Sequence, residues 1–467
     1  MSSAVSPGTR LPSSRELADD LRVSRTTAVL ALEQLLSEGY LAARRGAGTF
    51  VAEDLPDDLP SVPLRGGART NHPAARRTRR SLSHRGMALA APQGAQRLAG
   101  PPRAFRMGTP GVDLFPIRLW QRLINRRLRS ATAAHLDYGD VGGLAALREA
   151  IAAHVQTARG TQCVADQVII VAGAQQGFDL ICRVLLDPGD RAWMEDPGYP
   201  GARSALLGAG AHIVPVRVDA EGLDVDAGAR RADDARLVYV TPSHQYPLGV
   251  PMSLRRRLAL LKWAGAARAW VIEDDYDSEF RYGTRAIPCL HGLDAGGRVI
   301  YTGSFSKTLF PSLRLGFLIV PSDLRDRLVT ARRAADQHPP VLDQAVLADF
   351  ILEGHFARHL RRMRTAYRQR LEALAAATER YCGGALRLRP VQTGLHAVAD
   401  LDGVDAVRVS AEAQRRGIEA APLAAYSARP ARAANGLALG FAAARPDVLR
   451  RGAEQLAAAI EAARRSS

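Results

Sequence analysis

Cysteine is sparse in this 467-residue chain. Cys163, Cys182, Cys289 and Cys382 show none of the paired spacings of a disulfide framework or a thiolate metal site. Long apolar runs are missing as well. None approaches the ~18 residues of a membrane span, and the opening Met-Ser-Ser-Ala-Val-Ser-Pro has no apolar leader. The expectation is a reduced, cytoplasmic chain with no metal and no membrane partner. Lysine is scarce too, so the net charge of +16 rests almost entirely on arginine. Such a chain attracts polyanions, nucleic acid among them. A genome that favours Arg codons produces the same excess, so charge alone does not choose. With 47% hydrophobic and 24% charged residues the composition is that of a globular protein, and the length predicts about two to three domains.

The first fifty residues read as a DNA-binding module. Ser13 and Glu16 have capping-box spacing ahead of Leu17, Ala18 and Leu21. Arg22-Val23 makes a turn, and Ser24 caps a second helix with an apolar stripe of Ala28, Leu32, Leu35 and Leu36 that Gly39 ends. Two short helices across a tight turn form a helix-turn-helix. Its reading residues lie at the start of the second helix, here Arg25, Thr26 and Thr27. Two strand-like runs around a Gly-containing turn follow at 40–51, with Arg44 and Arg45 at the tip, placed for phosphate or minor-groove contact. A plain helical hairpin with a basic turn is the alternative reading.

From 53 to 104, Pro, Gly, Ala and Arg dominate, without helical or strand period and with a basic knot at 76–80. This predicts a flexible linker. From 105 onward, strand candidates at 167–171, 212–216, 237–241, 270–274, 299–304 and 314–320 alternate with helix-length segments, as in an α/β domain with a largely parallel sheet. The link from Ser304 to Arg314 is too short for a parallel crossover, so the strand after it is expected to run antiparallel. Helices are expected at 324–336 and, as one long element, at 342–377. A last α+β portion has strands at 386–389, 396–400 and 437–442 and a helix at 446–465, within a C-terminal subdomain of about 340–467.

Lys307 sits on that short link in Ser-Phe-Ser-Lys-Thr-Leu-Phe-Pro-Ser-Leu-Arg-Leu-Gly. Burial among uncharged neighbours favours a neutral amine, the form that condenses with an aldehyde. Ser304, Ser306 and Arg314 are group types that bind a phosphate dianion. An ordinary loop lysine fits this stretch equally well, and other segments decide. Gly173, Ala174 and Gln175 stand where a strand turns into a helix, whose free N–H groups favour phosphate. Asp274 lies among acids at a strand's C-terminal end, where α/β sheets form their sites. A carboxylate there keeps a pyridinium protonated. Tyr199, in Asp-Pro-Gly-Tyr-Pro-Gly, is able to stack on an aromatic ring.

Leu11–Val51 closely resembles the winged helix-turn-helix of the GntR family of bacterial transcription regulators, through Leu-Pro-Ser-Ser-Arg-Glu-Leu-Ala, Val-Ser-Arg-Thr-Thr and Gly-Ala-Gly-Thr-Phe-Val. The resemblance implies DNA contacts by Ser14, Arg15, Ser24, Arg25, Thr26, Thr27, Arg44, Arg45 and Gly48. That family carries a helix ahead of this motif, whereas only Met1 to Ser6 precede it here. The expectation is a domain at 1–52 without its first helix, through either a misassigned start codon or a truncated domain. Residues 105–467 resemble a fold-type I aminotransferase. By that resemblance, Lys307 is the Schiff-base lysine of pyridoxal 5'-phosphate, Asp274 the partner of its pyridine nitrogen and Tyr276 the partner of its phenolic oxygen. Tyr199 stacks on the ring; Gly173, Ala174, Gln175, Ser304, Ser306 and Arg314 form the phosphate cup. Tyr138 reaches a phosphate in the neighbouring subunit, which implies a homodimer.

The combination is similar to the MocR/GabR subfamily, regulators in which the cofactor-bearing domain senses an effector. It implies DNA binding and a response to pyridoxal phosphate, an amino compound, or both, through an internal aldimine at Lys307. The alternative is a working aminotransferase with a vestigial DNA-binding segment. Two departures bear on turnover. Tyr246 stands where aminotransferases carry Asn before Pro-X-Gly. The run Gly436–Gly440 and on to Ala442 has no arginine to grip a substrate carboxylate, although Arg429 and Arg432 are close in sequence.

Overall fold

The computed structural model describes residues 6–44, 46–53, 82–91, 100, 102–133, 137–283 and 288–465. They fall into two compact units, within 1–80 and 81–467.

In the first unit, α1 (Ser14–Leu21) and α2 (Arg25–Ser37) precede a hairpin of β1 (Leu41–Arg44) and β2 (Gly48–Val51). The Ser13–Glu16 capping box forms as its spacing predicts, with the Ser13 N–H donating to Glu16 Oε2 at 2.7 Å. Arg22 takes a left-handed conformation (φ 53°), and its N–H returns to the carbonyls of Ala18 and Asp19; this is what makes the turn tight. Residues 8–11 run along β2, with Gly8 N donating to Val51 O and Leu11 N to Thr49 O. Of the expected stripe on α2, Ala28 is buried and Leu32 and Leu36 are half-buried, while Leu35 is 39% exposed.

The second unit is built on an eight-stranded sheet. Its strands are β3 (Val168–Val171), β4 (Arg191–Asp196), β5 (His212–Asp219), β6 (Gly222–Leu223), β7 (Leu237–Val240), β8 (Trp270–Asp275), β9 (Val299–Ser304) and β10 (Gly316–Ile319). They lie in the order β3-β10-β9-β8-β7-β4-β5-β6. Strands β9, β8, β7, β4 and β5 are parallel neighbours. Strand β10 runs antiparallel to both β9 and β3, as the short lysine link requires. Strands β3, β7 and β10 are buried at every residue, which their Val/Ile/Leu content predicts for a sheet covered on both faces. A smaller antiparallel sheet follows, β11 (Leu386–Leu388), β12 (His396–Leu401), β13 (Ala421–Pro422) and β14 (Gly436–Gly440), in the order β11-β12-β14-β13.

Four expectations need correction. Helix α3 (His84–Ala90) lies inside the segment read as linker. Ser83 caps it by accepting from Gly86 N, and seven residues are too few to show a period. Later helices include α4 (Ile117–Arg129), α5 (Ala145–Arg159), α6 (Ala174–Leu185) and α7 (Pro200–Ala209). The Leu89 side chain of α3 lies against Gly208 of α7, so α3 belongs to the second unit. Strand β4 was not among the expected strands. Arg-Ala-Trp-Met-Glu-Asp has no β-branched residue and owes its conformation to parallel pairing on both sides. The single long helix is two, Val341–Leu352 and His355–Cys382, broken at Gly354 with φ +73°. The helix Ala406–Arg415, capped by Asp405, was also not anticipated. Among the described residues no helix is long and apolar enough to cross a membrane.

Candidate functional site

A cavity of about 230 Å³ opens at the C-terminal ends of the central strands, where an α/β sheet forms its sites. Lys307, on the link between β9 and β10, lines it, and its Nζ donates to Gly108 O at 2.6 Å. The acids of β8 are sorted by the pleat, which sends alternate side chains to opposite faces. Glu273 accepts from the N–H groups of Leu290 and His291, and Asp275 pairs with Arg159 at 2.7 Å and with Tyr301 OH at 2.6 Å. Asp274 alone of the three lines the cavity, accepting from Tyr239 OH at 2.6 Å. Burial pushes its carboxyl up to about 7, with the Tyr239 hydrogen bond acting the other way.

Past the end of β8, Tyr276 and Asp277 also line the cavity. Asp277 holds His244 Nδ1 at 2.9 Å and accepts from Leu395 N at 3.2 Å. A carboxylate only accepts, so the imidazole donates from Nδ1. Tyr276 OH sits 3.0 Å from the same nitrogen, and burial holds its phenol well above its ordinary range. His396 of β12, buried like His244, adds a third ring beside this pair. Its Nε2 donates to Pro247 O at 2.9 Å, and burial pushes it down to about 4, so it is neutral. One ligating atom each of His244, Asp277 and His396 lie within 4.8 Å of one another, and these hydrogen bonds account for the grouping.

The opposite end of the cavity gathers a helix start, two serines and an arginine, groups that favour negative charge. Gly173 caps α6 at φ +89°, and a Cβ there would stand 3.0 Å from Arg314 Nη2. Only glycine permits both the backbone angle and that approach. Ala174 and Gln175 follow in the first turn of α6, where unpaired N–H groups and the helix dipole favour negative charge. Arg314 also has a left-handed backbone (φ 52°) and donates from Nη2 to Ala172 O at 2.6 Å. Ser304 and Ser306 face the same cavity, Ser306 N donating to Ser304 Oγ. Gln175 Nε2 is engaged by Gly201 O at 2.8 Å. Tyr199, N-cap of α7, lines the wall with Tyr246, the rings in a T-shaped contact at 5.5 Å.

The structure thus brings ten of the residues singled out in the large domain around one cavity: Lys307, Asp274, Tyr276, Tyr199, Ala174, Gln175, Ser304, Ser306 and Arg314, with Gly173 against Arg314. Tyr138 is not among them; it is 82% exposed, its ring 6.2 Å from that of His338. Arg429 and Arg432 are exposed on the turn around Pro430–Arg432. Asp277, Leu395 and His396 were missed. No spacing signals them, because β12 meets the end of β8 only through the packed tertiary structure.

In the N-terminal unit, Arg25, Thr26 and Thr27 are exposed at the first turn of α2, as expected. Ser24 Oγ caps that turn, accepting from Thr27 N at 3.1 Å, and it bonds the Thr27 hydroxyl at 2.7 Å. Ser14 and Arg15 open α1, Ser14 half-buried and Arg15 exposed. Arg44 stacks on the Phe50 ring and pairs with Glu53 at 3.0 Å, and Gly48 (φ +110°) lies close to the Arg10 guanidinium. Arg45 lies outside the described residues.

Comparison with known proteins matches both units. The model of the bacterial regulatory proteins of the gntR family covers residues 1–51, and that of aminotransferase class I and II covers 114–449. The chain is 40% identical to the probable rhizopine catabolism regulatory protein MocR of Rhizobium meliloti, over 97% of this chain and 89% of that one. It is 38% identical to the transcriptional regulator TauR of Rhodobacter capsulatus, over 81% and 77%. Among solved structures it is similar to the alpha-aminoadipate aminotransferase LysN of Thermus thermophilus, complexed with N-(5'-phosphopyridoxyl)-L-leucine. The TM-score is 0.71, with 29% identity over 78% of this chain and 93% of that one. The chain belongs to the MocR-type GntR transcription regulators, in which a helix-turn-helix domain precedes a fold-type I aminotransferase domain.

Proposed function

We propose that this protein is a DNA-binding transcription regulator that carries pyridoxal 5'-phosphate on Lys307 and alters its hold on operator DNA when an amine enters the same cavity. One observation carries the reading. A lysine, a buried carboxylate and the start of a helix face a single cavity in a chain that also bears a GntR helix-turn-helix. The donor set fits the cofactor group by group. Asp274, costly to ionise where it is buried, gains a cation when it faces a pyridinium nitrogen. Tyr276 is placed for the phenolic oxygen and Tyr199 for the ring face. The α6 N-terminus with Ser304, Ser306 and Arg314 suits the phosphate. Bound there, the cofactor supplies an aldehyde carbon that bonds a neutral amine with loss of water.

Lys307 links the cavity to the rest of the chain. Its Nζ reaches Gly108 O, on the segment that leads in from residues 53–104. A lysine held by the cofactor and a lysine returned to Gly108 put different constraints on that segment, which is the two-state element a switch needs. Residues 1–52 act as the DNA-binding domain, 53–104 as a connection that contains α3, and 105–467 as the sensor. The working form is a cytoplasmic homodimer in which Tyr138 contributes to the partner's phosphate site. Gel-shift assays with DNA upstream of its own gene test the reading. Specific retardation that weakens steeply with salt is expected; retardation no different from that of random DNA contradicts it.

A further inference from the structure

His244, on the turn after β7, is buried, and its Nδ1 faces three oxygens. Asp277 Oδ1 lies at 2.9 Å, Asp277 Oδ2 at 3.1 Å and the Tyr276 hydroxyl at 3.0 Å. A carboxylate has no proton to give, so the proton in this group sits on Nδ1, and that nitrogen keeps no lone pair for a second donor. The Tyr276 oxygen therefore meets the imidazole N–H as an acceptor, and its own proton turns away from the histidine. Tyr276 lines the cavity, and burial keeps its phenol protonated.

The backbone is shaped around the His244–Asp277 pair. Gly394, just ahead of β12, has φ +89°, and a Cβ there would run into the His244 ring and stand 2.6 Å from Asp277 Oδ2. Gly249, at φ +75°, would carry a Cβ 3.2 Å from His244 Nε2. Only glycine fits both angle and space at Gly394. Leu395 N donates to Asp277 Oδ2 at 3.2 Å and holds the carboxylate from the β12 side. The His244 ring lies 29° from parallel to that of Tyr276 and 4.9 Å from that of His396. The imidazole is thus fixed on several sides with its Nδ1 edge toward the tyrosine.

We propose that His244, held by Asp277, is a positioning residue that directs the Tyr276 hydroxyl proton into the cavity, toward the phenolic oxygen of the cofactor. This rests on the cofactor reading above. A donor to that oxygen favours its anionic form, so losing the donor raises the pH at which the lysine-linked visible band changes. Asp274, Glu195, Tyr246 and Lys307 share the surroundings of Tyr276 and stay in place in each variant, so a shift reports on the pair.

The test is a pH titration of the visible band of cofactor-loaded protein. His244→Leu, and His244→Phe, which keeps a ring without the N–H, are expected to raise the midpoint by about one pH unit, a roughly tenfold change in the proton's dissociation constant. His244→Asn, whose amide N–H replaces Nδ1–H, should stay near the parent. Tyr276→Phe should shift as His244→Leu does, and the double variant should shift no further. Unmoved midpoints in the Leu and Phe variants, a shift in His244→Asn as large as theirs, or additive shifts in the double variant overturn the inference. Nitrogen-15 NMR of the histidine-labelled parent, with His244→Asn to identify the signal, checks the same point without a loaded variant. A proton on Nδ1 is expected, and a bare Nδ1 overturns the inference. A parent that shows no lysine-linked band with added cofactor brings down the cofactor reading, and the inference with it.

Discussion

Asp274 is buried, and the raising effect of that burial outweighs the lowering effects of the Tyr239 hydrogen bond and of Lys307 across the cavity. Its ordinary value is near 4 and its folded value about 7, so between those pH values the folded chain holds a proton that the unfolded chain has lost. Stability therefore falls as pH rises through this window. Asp274→Asn keeps an acceptor for Tyr239 and removes the charge. Without cofactor, the variant is expected to melt about 2–4 °C above the parent at pH 8, the shift that about 1 kcal/mol gives a large domain. Near pH 4.5 the two should melt together. With cofactor the order reverses, because the variant no longer pairs a pyridinium. Thermal melts at the two pH values decide it; a variant less stable at pH 8 without cofactor would show that the carboxylate is stabilised by something else. Lys307→Ala should lose the lysine-linked visible absorption that the parent shows with added cofactor.

Much of this site was legible residue by residue because its members sit in short runs at strand ends. Lys307 with its hydroxyls and arginine, Asp274 with Tyr276, and Gly173 with its helix start each announce themselves locally. The His244–Asp277–His396 corner does not. His396 lies over a hundred residues from Asp277 in sequence, and only the packing of β12 beside the end of β8 joins them. By residue type alone Asp274 and Asp275 are equivalent, and resemblance is what singled out the first. The pleat alone separates Asp274, which faces the cavity, from Asp275, which is spent on Arg159.

At the scale of elements, the start of α6 is the most demanding piece. Gly173 combines φ +89° with a Cβ position 3.0–3.2 Å from the Arg314 guanidinium. Gly173→Ala strains the backbone and displaces the arginine, and the dissociation constant for pyridoxal phosphate is expected to rise at least tenfold, measured by absorbance or fluorescence titration. Unchanged affinity would remove the phosphate from this end of the cavity. The start of α2 is the comparable piece of the N-terminal unit. Ser24 and Thr27 are tied into the cap, which leaves Arg25 as the exposed cation of that turn. Arg25→Ala is expected to weaken operator binding by about 1–3 kcal/mol with the helix content preserved, as anisotropy and circular dichroism would show. Elements also mark where sequence patterns fail. Strand β4 is fixed by neighbours on both sides and not by its own residues. The break at Gly354 hides within a continuous helical period, and α3 is too short to display one.

On the scale of the whole molecule, the claim is that the cavity and the helix-turn-helix are coupled through Lys307. Energetic coupling of this kind is typically about 1–3 kcal/mol, which is roughly 5- to 150-fold in affinity. The most direct measurement is the dissociation constant for DNA upstream of the gene, with and without a saturating amine that moves the visible band, for the cofactor-loaded parent and for Lys307→Ala. The amine should change the parent's DNA affinity at least fivefold and leave the variant's unchanged. An amine that moves the band but not the parent's DNA affinity would contradict the account, as would one that changes both proteins alike.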